Sequence, residues 1–508
     1  MKEKKLKLFY TSDVHGFLFP TDYTRTEKQD IGLMHCGANF EKDGNTLVID
    51  GGDMLQGSPF TFYCQKVLHS SKPIAELVNT LGYDFVTIGN HDFNYGMDYL
   101  NEYINSLKAV CVCENVKESG TGSIGHPYVV HKMKNGLRVG IIGIVTEFVA
   151  IWEKEENLKG IQITEPLDAA RKALEQVRKE ADITICLYHG GFERNLKTGE
   201  LVSKTKENIG WKICEELDFD ILLSAHQHMT IEGEIIHGTY VVQLPDKAAN
   251  YLYMEVQVDE QGKRIQSEIR KAGSKCIAVV PDIVRKTEEQ VQIWLDNPIG
   301  SLNKKLVPRD KLDMALYGSE IADFINQIQL YYSGAQISCT SLANEIAGFC
   351  EKVSVREVMT NYPYSNTLVV LEVSGKLLKE GLERTAEYFS VDENGICISQ
   401  SFLNPKKEHY NYDYFAGIQY VIQVNRPVGQ RVTEILYEGK AVEENAFYQV
   451  CMNSYRASGA GGYDGYRTCR VRKEINVEMS ELIMEYLRTQ REVTVNNYFL
   501  FKVDIMKL

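Results

Sequence analysis

The first half of the chain alternates short apolar runs with amphipathic stretches, and this alternation is typical of an α/β layered domain. Stretches such as Ile74–Leu81 and Pro166–Ala181 have apolar residues at helical spacing. The pattern therefore predicts sheets layered with helices. The predicted strands are Leu6–Tyr10, Thr46–Asp50, Phe85–Ile88, Leu137–Val145, Ile183–Leu187, Ile221–Ser224 and Thr239–Leu244.

A chain of 508 residues is longer than one hydrophobic core usually supports, so two or three domains are expected. The pattern changes near Pro281, where Asp282–Leu295 is predicted to form one polar helix. We interpret residues 1–280 as a first domain, 281–300 as a helical linker and 301–508 as a second domain. The second domain is predicted to contain helices at Glu320–Tyr332, Leu377–Tyr388 and Met479–Arg488 and strands at Gln336–Cys339, Thr367–Val373, Tyr420–Val424, Phe447–Met452 and Asn497–Val503.

The composition is that of an ordinary globular protein with an excess of acidic residues. Hydrophobic residues make up 44% and charged residues 25% of the chain, which excludes a disordered or fibrous protein. The formal charge of −13 argues against a nucleic acid duplex as a partner, because binding of a phosphate backbone normally needs a basic face. A small anionic substrate stays compatible with this charge if bound cations reverse the local field.

Nothing in the sequence predicts export or a membrane span. Met1–Lys7 is basic, but the apolar stretch Leu6–Tyr10 is too short for a signal core, and no run approaches the roughly 18 apolar residues of a spanning helix. The twelve cysteines are interpreted as reduced core or surface thiols rather than as a disulfide framework. We therefore expect a cytoplasmic protein that does not bind membranes, whose oligomeric state the sequence leaves open.

Asp, Asn and His residues come directly after five of the predicted strands. In an α/β sheet, side chains beyond the strand ends gather at one edge, where such folds place their sites. We therefore expect five separate segments to deliver oxygen and imidazole ligands to one location. These residues are Asp13 and His15, Asp53, Asn90 to Asp92, His189, and His226 with His228.

Carboxylate, amide and imidazole ligands together suit borderline-hard divalent metals such as Mn²⁺, Zn²⁺, Fe²⁺ or Co²⁺. One carboxylate can bridge two ions about 3.5–4 Å apart, and such a pair can clamp the attacking and leaving oxygens of a phosphoryl transfer. A water on such an ion has its pKa lowered towards about 7, so hydroxide becomes available near neutral pH. The ligand types predict two divalent ions and leave their identity open.

Taken singly, most of these motifs have a plainer interpretation. Asp13–Gly16 and Gly51–Asp53 could be turns that follow strands, whereas Gly89–Asp92 is more specific. His226 and His228 share one face if the chain is extended there, and alone they could be packing histidines. All five motifs in one order argue against chance. Among the histidines that match no motif, we interpret five as surface or structural: His35, His69, His131, His237 and His409.

The order Asp-x-His-Gly, Gly-Gly-Asp-x-x-x-Gly-Ser, Gly-Asn-His-Asp, His-Gly-Gly, His-x-His resembles that of the calcineurin-like metallophosphatases. The resemblance implies that Asp53 bridges the two ions. It also implies that His91 is not a ligand but stabilises or protonates the oxygen of the leaving group. The implied ligands are Asp13, His15, Asp53 and His228 for one ion, with Asn90, His189 and His226 completing the second.

Four further motifs lie in the C-terminal half: Ser365–Val369, Asn411–Asp413 with Gly417, Asn453–Arg456 and Gly459–Tyr466. They resemble segments of the substrate domain of the 5′-nucleotidase superfamily, so the resemblance to known families covers essentially the whole chain. It implies an α/β fold, in which a four-layer metallophosphatase sandwich of two mixed sheets flanked by helices is joined by a helix to an α+β substrate-binding domain.

The same resemblance implies that two aromatic rings, Tyr412 and Tyr455, hold the nucleobase between them. Stacking suits this role because every base has a π-face, and each contact contributes about 1–3 kcal/mol. Asn366 and Asp464, from the same segments, are further implied contacts of the substrate. Either tyrosine could instead be a core or surface ring, since the chain has 29 tyrosines.

Within the superfamily the chain looks most like the 2′,3′-cyclic-nucleotide 2′-phosphodiesterase/3′-nucleotidase branch. The 5′-nucleotidase branch usually has Asp in place of Asn94, to orient the catalytic histidine, and Gln in place of His228. An amide stabilises an imidazolium less than a carboxylate does. Asp92 stands where Glu is more usual and Ala225 where Gly is usual, but neither change removes a ligand.

The sequence therefore predicts a metal-dependent enzyme with a small nucleotide as its substrate. The resemblance implies opening of a 2′,3′-cyclic nucleotide at its 2′ bond, then release of phosphate and nucleoside from the 3′-nucleotide. Two other interpretations stay open. One is a 5′-nucleotidase or nucleotide-sugar hydrolase of the same superfamily, and the other is a nucleotide-binding sensor that keeps the fold without turnover.

Overall fold

The computed structural model describes residues 3–24, 27–119, 122–203, 205–364, 366–404, 406–498 and 500–505. Ser365, part of one motif above, lies outside the described residues. The chain divides into two compact units, Met1–Gln292 and Ile293–Leu508. Within the described residues, no helix combines the length and the apolar character needed to cross a bilayer. All twelve cysteines are free thiols, as expected.

Two six-stranded mixed sheets form the N-terminal unit, which confirms the predicted class. In each sheet four neighbouring strands run parallel and the remaining strands are antiparallel. In spatial order, the first sheet contains Gly262–Lys271, Asn250–Asp259, Lys4–Thr11, Thr46–Asp50, Phe85–Val86 and Val110–Cys111. The second contains Ile231–Ile236, Thr239–Gln243, Ile221–Ser224, Ile183–His189, Arg138–Val145 and Tyr128–Lys132. A smaller sheet contains Gly122–Ser123, Val116–Glu118 and Ile161–Ile163.

Apolar side chains from both large sheets share one core, so the sheets pack face to face. Leu8 and Ile49 of the first sheet lie in the same buried cluster as Ile185 and Leu223 of the second. The other face of the second sheet packs against the helix Pro166–Val177. The helices of this unit are Leu33–Gly37, Pro59–Tyr63, Lys72–Leu81, Met97–Ser106, Val149–Trp152, Pro166–Val177 and Gly210–Glu216, with single turns of other helix types at Cys64–Leu68, His91–Phe93 and Glu155–Leu158.

The predicted strands of the first half are all present, with ends that shift by one or two residues. The largest omission is the hairpin of Asn250–Asp259 and Gly262–Lys271, which extends the first sheet at one edge. Its outer strand is polar and mostly exposed, so it lacks the apolar run by which the other strands were recognised. Edge strands are held by backbone pairing, which leaves little trace in hydrophobicity.

The helix predicted over Asp282–Leu295 is present with those bounds, and Val284, Val291 and Leu295 are buried. Their spacing of seven and four residues places them on one face of the helix. The division between the two compact units falls inside this helix.

The C-terminal unit is an α+β structure around a five-stranded sheet. In spatial order that sheet contains Asp413–Ala416, Ile337–Ser341, Phe447–Asn453, Leu368–Ser374 and Arg470–Ile475. Smaller sheets contain Lys440–Ala441, Val432–Tyr437, Gln419–Gln423 and Phe501–Asp504; Lys352–Ser354, Pro298–Leu302 and Glu492–Val493; and Phe389–Asp392 with Gly395–Ile398. The helices are Lys311–Tyr317, Glu320–Ser333, Val355–Asn361, Gly375–Ala386, Ser454–Ala457 and Met479–Gln490, with short turns at Gln400–Phe402, His409–Asn411 and Asp464–Thr468.

A buried ion pair joins two of the C-terminal motifs. The Arg456 guanidinium donates from Nε and Nη2 to the two carboxylate oxygens of Asp413, at 2.8 and 3.0 Å. Its remaining hydrogen bonds go to the carbonyl oxygens of Ala460 and Tyr410, and the Tyr463 ring lies 3.9 Å from its guanidinium carbon. Each charge is therefore compensated inside the fold.

We expect an Arg456→Met variant to lose about 3–5 kcal/mol of unfolding free energy, because it leaves the Asp413 carboxylate buried without its cation. Urea denaturation measures this change. Arg264→Met, which removes a largely exposed pair with Asp259, is the matched control and should change stability little. Equal losses of unfolding free energy in the two variants would contradict a special role for the buried pair of Arg456 and Asp413.

Candidate metal centre

The predicted ligands come together at the carboxyl ends of strands from both large sheets. His189 Nε2 lies 3.2 Å from Asp53 Oδ2 and 4.0 Å from Asp13 Oδ1. His228 Nε2 lies 3.5 Å from Asp13 Oδ1 and 3.3 Å from His15 Nε2. Asp13, Asp53 and His189 are no more than 1% exposed, whereas His226 and His228 lie at the partly exposed side of the cluster. The convergence expected from the strand-end pattern is thus observed.

Two overlapping groups have the spacing needed to hold a metal ion. One contains Asp13, His15 and His228, and the other contains Asp13, Asp53 and His189. In each group the ligand atoms lie within 4.8 Å of one another.

The Asn90 side chain extends the second group to His226. Its Oδ1 atom lies 3.1 Å from His189 Nε2 and 2.9 Å from His226 Nδ1. An amide oxygen can accept hydrogen bonds or ligate a cation, so Asn90 and the two imidazoles can face a common ion. All seven predicted ligands therefore belong to one cluster.

Five of these ligands have a left-handed backbone, which is uncommon outside glycine. The φ angles are 51° for Asp13, 50° for His15, 60° for Asp53, 74° for His226 and 55° for His228. Such strain persists only where the surrounding structure enforces it, and it is frequent at functional sites. The chain bends sharply after each strand and turns the side chains inward.

The chain is not extended at His226 and His228, so strand alternation does not place their side chains on one face. The strand ends at Ser224, and both histidines lie in the loop beyond it. Between them, Gln227 turns its side chain away to bond with the backbone N–H and carbonyl of Phe192. The two imidazoles approach the cluster through loop geometry rather than strand alternation.

The Asp92 carboxylate holds two of the ligand loops together. It accepts hydrogen bonds from the backbone N–H groups of Asp53, Met54, Leu55 and Gly89, at 2.8–2.9 Å. Glycine is required at position 89, because a Cβ there would collide with Asp53. The shorter Asp side chain, in place of the more usual Glu, thus has a defined structural role.

Charges within the cluster shift the pKa values of its members. Burial would raise the pKa of Asp53, but the imidazoles of His189 and His91 outweigh it and hold the carboxyl well below its usual range. Burial would lower the pKa of His189, but Asp53 and then Asp13 raise it to about 10. His15, in contrast, has its pKa lowered to about 4, chiefly by burial. Without a metal, these opposite pKa shifts favour an imidazolium at His189 beside an ionised Asp53 carboxylate.

Outer hydrogen bonds determine which nitrogen each histidine presents. Nδ1 of His15 donates to the Gln56 carbonyl at 2.9 Å, and Nδ1 of His189 donates to the Gly51 carbonyl at 2.7 Å. A carbonyl can only accept, so both rings carry the proton on Nδ1 and direct Nε2 into the cluster. His226 is reversed, because its Nε2 lies 3.0 Å from Glu207 Oε1 while Nδ1 faces Asn90. Glu207 lies in an irregular loop, and no sequence motif marks it.

The donor set fits divalent cations on grounds that the structure itself provides. Asp13 Oδ2 is buried and has no hydrogen-bond partner among the described residues. The Nε2 atoms of His15 and His228 lie 3.3 Å apart, and both can direct a lone pair at a cation when their protons are on Nδ1. A metal ion would satisfy these atoms together and replace the proton that His189 holds.

His91 lies beside the cluster rather than within either ligand group. Its backbone N–H donates to Asp53 Oδ1 at 2.7 Å, and its ring centroid lies 5.3 Å from that of His15. The ring is partly exposed, and its Nδ1 lies 2.8 Å from Asn94 Oδ1. The ring is therefore held next to the ligands with Nε2 directed away from Asn94.

The predicted base-binding residues of the C-terminal unit differ in burial: Tyr412 is buried, whereas the other three have accessible surface. Tyr412 is only 2% exposed, and its hydroxyl donates to the Ala315 carbonyl. The ring packs against Tyr388, Tyr414 and Phe389, at centroid distances of 4.8–5.7 Å. It offers no free face in this structure, so the expectation that Tyr412 stacks on a base is not supported.

Tyr455, Asn366 and Asp464 keep accessible surface. Tyr455 and Asn366 are half-buried, and Asp464 is exposed at the start of a short helical turn. The Tyr455 ring lies 5.9 Å from the guanidinium carbon of Arg456, so the buried ion pair lies beside it.

We expect Asp92→Asn to weaken metal binding by about 10- to 100-fold, because an amide places N–H groups against backbone N–H donors. Metal content after dialysis against a competing chelator measures this. Asp220→Asn is the control, since Asp220 also accepts a backbone N–H, from Thr184, but precedes its strand. Full metal occupancy in the Asp92 variant would contradict the proposed role.

Comparisons with known proteins agree with this architecture. Residues 6–230 match the model of the calcineurin-like phosphoesterase family, and residues 298–468 match that of the 5′-nucleotidase C-terminal domain. The crystal structure of a candidate 5′-nucleotidase from Staphylococcus aureus, in complex with α-ketoglutarate, is 33% identical. It covers 99% of this chain and 100% of its own, with a TM-score of 0.92.

Curated relatives extend the similarity. The trifunctional nucleotide phosphoesterase protein YfkN of Bacillus subtilis is 24% identical over 96% of this chain, which spans only 38% of that protein's length. The 2′,3′-cyclic-nucleotide 2′-phosphodiesterase/3′-nucleotidase of Haemophilus influenzae is 25% identical, over 97% of this chain and 86% of its own. The chain belongs to the 5′-nucleotidase superfamily, in which a calcineurin-like phosphoesterase domain is joined to a 5′-nucleotidase C-terminal domain.

Proposed function

We propose that this chain hydrolyses nucleotide phosphoesters with two divalent metal ions, most specifically 2′,3′-cyclic nucleotides to 3′-nucleotides and then to nucleoside and phosphate. One observation carries the proposal: seven residues with oxygen and nitrogen donors meet in one cluster, five of them buried, with the His91 imidazole beside it. A structure that only bound a nucleotide would have no need to bury and strain so many potential ligands.

In this proposal Asp13, His15, Asp53 and His228 hold one ion, and Asp53, Asn90, His189 and His226 hold the other. The short separations of the ligand atoms and the unpartnered Asp13 Oδ2 support the assignment. The ions, which the ligand types allow to be Mn, Zn, Fe or Co, would polarise the phosphoryl group and lower the pKa of the attacking water.

His91 is proposed to serve the leaving oxygen. The Asn94 carbonyl oxygen can only accept, so Nδ1 of His91 carries a proton and Nε2 is the atom available to the substrate. In the imidazolium form Nε2 also carries a proton, which it can give to the 2′ oxygen as the cyclic ester opens. Asn94 thus orients the ring that acts on the substrate.

The proposed substrate class is supported by the relatives and by two residues. The Haemophilus influenzae relative is named for both steps of the proposed sequence. Asn94 and His228 stand where the 5′-nucleotidase branch usually has Asp and Gln, which favours the cyclic-nucleotide branch. The Staphylococcus aureus similarity favours a second candidate, 5′-nucleotidase activity, which the substrate panel below separates.

The C-terminal unit is proposed to bind the base, with Tyr455 as the aromatic contact and Asn366 and Asp464 as polar contacts. Their accessible surface supports this proposal. Tyr412 is left out of the proposed base contacts because its ring lies in the core. We also propose that the protein works in the cytoplasm, because its twelve free thiols suit a reducing compartment.

The test is a parallel incubation of the protein and Mn²⁺ with 2′,3′-cyclic AMP, 3′-AMP and 5′-AMP, each with a chelator control, followed by chromatography. We expect the cyclic ester to pass through 3′-AMP to adenosine, and the chelator to abolish this. Hydrolysis of 5′-AMP alone would favour the second candidate. Tight nucleotide binding without any hydrolysis would indicate a sensor.

We expect an Asp53→Asn variant to lose nearly all turnover while remaining folded, because the amide removes the charge shared by both ions. Initial rates measure the loss and circular dichroism checks the fold. His69→Asn is the control, since His69 is exposed and the small amide tolerates its left-handed backbone. Wild-type rates in the Asp53 variant would rule out the dinuclear centre.

A further inference from the structure

A chain of hydrogen bonds runs outward from His91 to a carboxylate that no motif includes. His91 Nδ1 lies 2.8 Å from Asn94 Oδ1, and Asn94 Nδ2 donates to Glu153 Oε2 at 2.6 Å. The Asn94 amide therefore connects the imidazole to a negative charge two hydrogen bonds away.

Glu153 determines which way the Asn94 amide points. The carboxylate only accepts, so it requires the N–H₂ end of the amide, which leaves the oxygen for His91. A flipped amide would place its oxygen against the Glu153 carboxylate and its N–H₂ against the N–H of the imidazole, and both contacts would be repulsive. Asn94 alone could adopt either orientation, so it cannot by itself select the protonated nitrogen of His91.

Glu153 is itself held in place by donors. Its Oε1 accepts from the backbone N–H of Lys154 and from Asn157 Nδ2. Asn157 Nδ2 also donates to the main-chain carbonyl of Asn94. The neighbouring Trp152 stacks on His226, with ring centroids 5.6 Å apart and planes inclined by 21°. One segment of the chain thus contacts both a proposed metal ligand and the partner of His91.

We infer that Glu153 is a positioning residue. It acts through Asn94 in place of the Asp carboxylate that the 5′-nucleotidase branch usually has at position 94. It fixes the Asn94 amide so that His91 keeps its Nδ1 proton on the amide oxygen and turns Nε2 to the leaving group. This inference rests on the proposed function of His91.

The geometry provides a sharp test, because the amide and the carboxylate can be exchanged. In Glu153→Gln, one carboxylate oxygen becomes an N–H₂ group. Both oxygens now accept hydrogen bonds, one from Asn94 and the other from Lys154 and Asn157, so the N–H₂ group faces a donor in either orientation. In Asn94→Asp, two carboxylates face each other across the present 2.6 Å contact. In the double variant, the carboxylate at position 94 can accept both from His91 and from the amide at position 153, so every group regains a partner.

We expect each single variant to lower kcat for 2′,3′-cyclic AMP by about 10-fold or more with little change in KM. The double variant should recover to within about 3-fold of the wild type, a strongly non-additive result. For bis(4-nitrophenyl) phosphate, whose leaving group needs no proton, the single variants should lose much less. Metal content and thermal unfolding, measured for every variant, report general damage to the site.

A second readout does not depend on turnover. In zinc-loaded protein with ¹⁵N-labelled histidine, His91 is identified by the signals that disappear in His91→Gln. We expect its Nδ1 to be protonated in the wild type and the double variant, and this preference to be lost in Glu153→Gln.

The outcomes separate this inference from the function beneath it. If the wild type is active, two results would overturn the role of Glu153 and leave the proposed function intact. One is a double variant whose loss of kcat is the product of the two single losses. The other is an equal loss of kcat, in each single variant, for 2′,3′-cyclic AMP and for bis(4-nitrophenyl) phosphate. A wild type that hydrolyses no phosphoester would overturn the proposed function. The NMR result would then decide the positioning by itself, and an unchanged His91 tautomer in Glu153→Gln would refute it.

Discussion

The apolar side chains between the two large sheets hold together a site that neither sheet could form alone. Asp13, Asp53 and Asn90 follow strands of the first sheet, whereas His189, His226 and His228 end or follow strands of the second. The interatomic distances of 3–4 Å in the cluster therefore depend on how the sheets pack. Close packing makes such an interior hard to deform, so it fixes the separation of the ligands.

The same arrangement is costly without a cation. Carboxylates and imidazoles are buried together, and several of their residues have left-handed backbones. In the metal-free protein the pairing of the Asp53 carboxylate with the His189 imidazole offsets part of this cost, as the opposite shifts of their pKa values indicate. The hydrogen bonds of Asp92 hold the loops in position meanwhile, so the ligands are already arranged before a metal binds.

Around this centre the structure uses neighbours to compensate for residues that depart from the usual pattern. Asp92 is shorter than Glu but still contacts four backbone donors. Asn94 lacks a charge, yet Glu153 supplies one next to it. These contacts come from loops remote in sequence, so a substitution in a motif can be read only together with its spatial neighbours.

The sequence by itself determined the class of fold, the helix Asp282–Leu295 and which residues gather in the candidate metal centre. Apolar strands followed at once by Asp, Asn or His are a local pattern, and the geometry of parallel sheets turns that pattern into proximity. Glu153 and Glu207 could not be found this way, because their importance comes from contacts with His91 through Asn94 and with His226 rather than from spacing. The burial of Tyr412 was equally invisible, since a tyrosine in a motif looks the same whether its ring packs in a core or faces a ligand. Only the tertiary structure decided these points, because burial and hydrogen-bond partners are set by segments that fold against one another from distant parts of the chain.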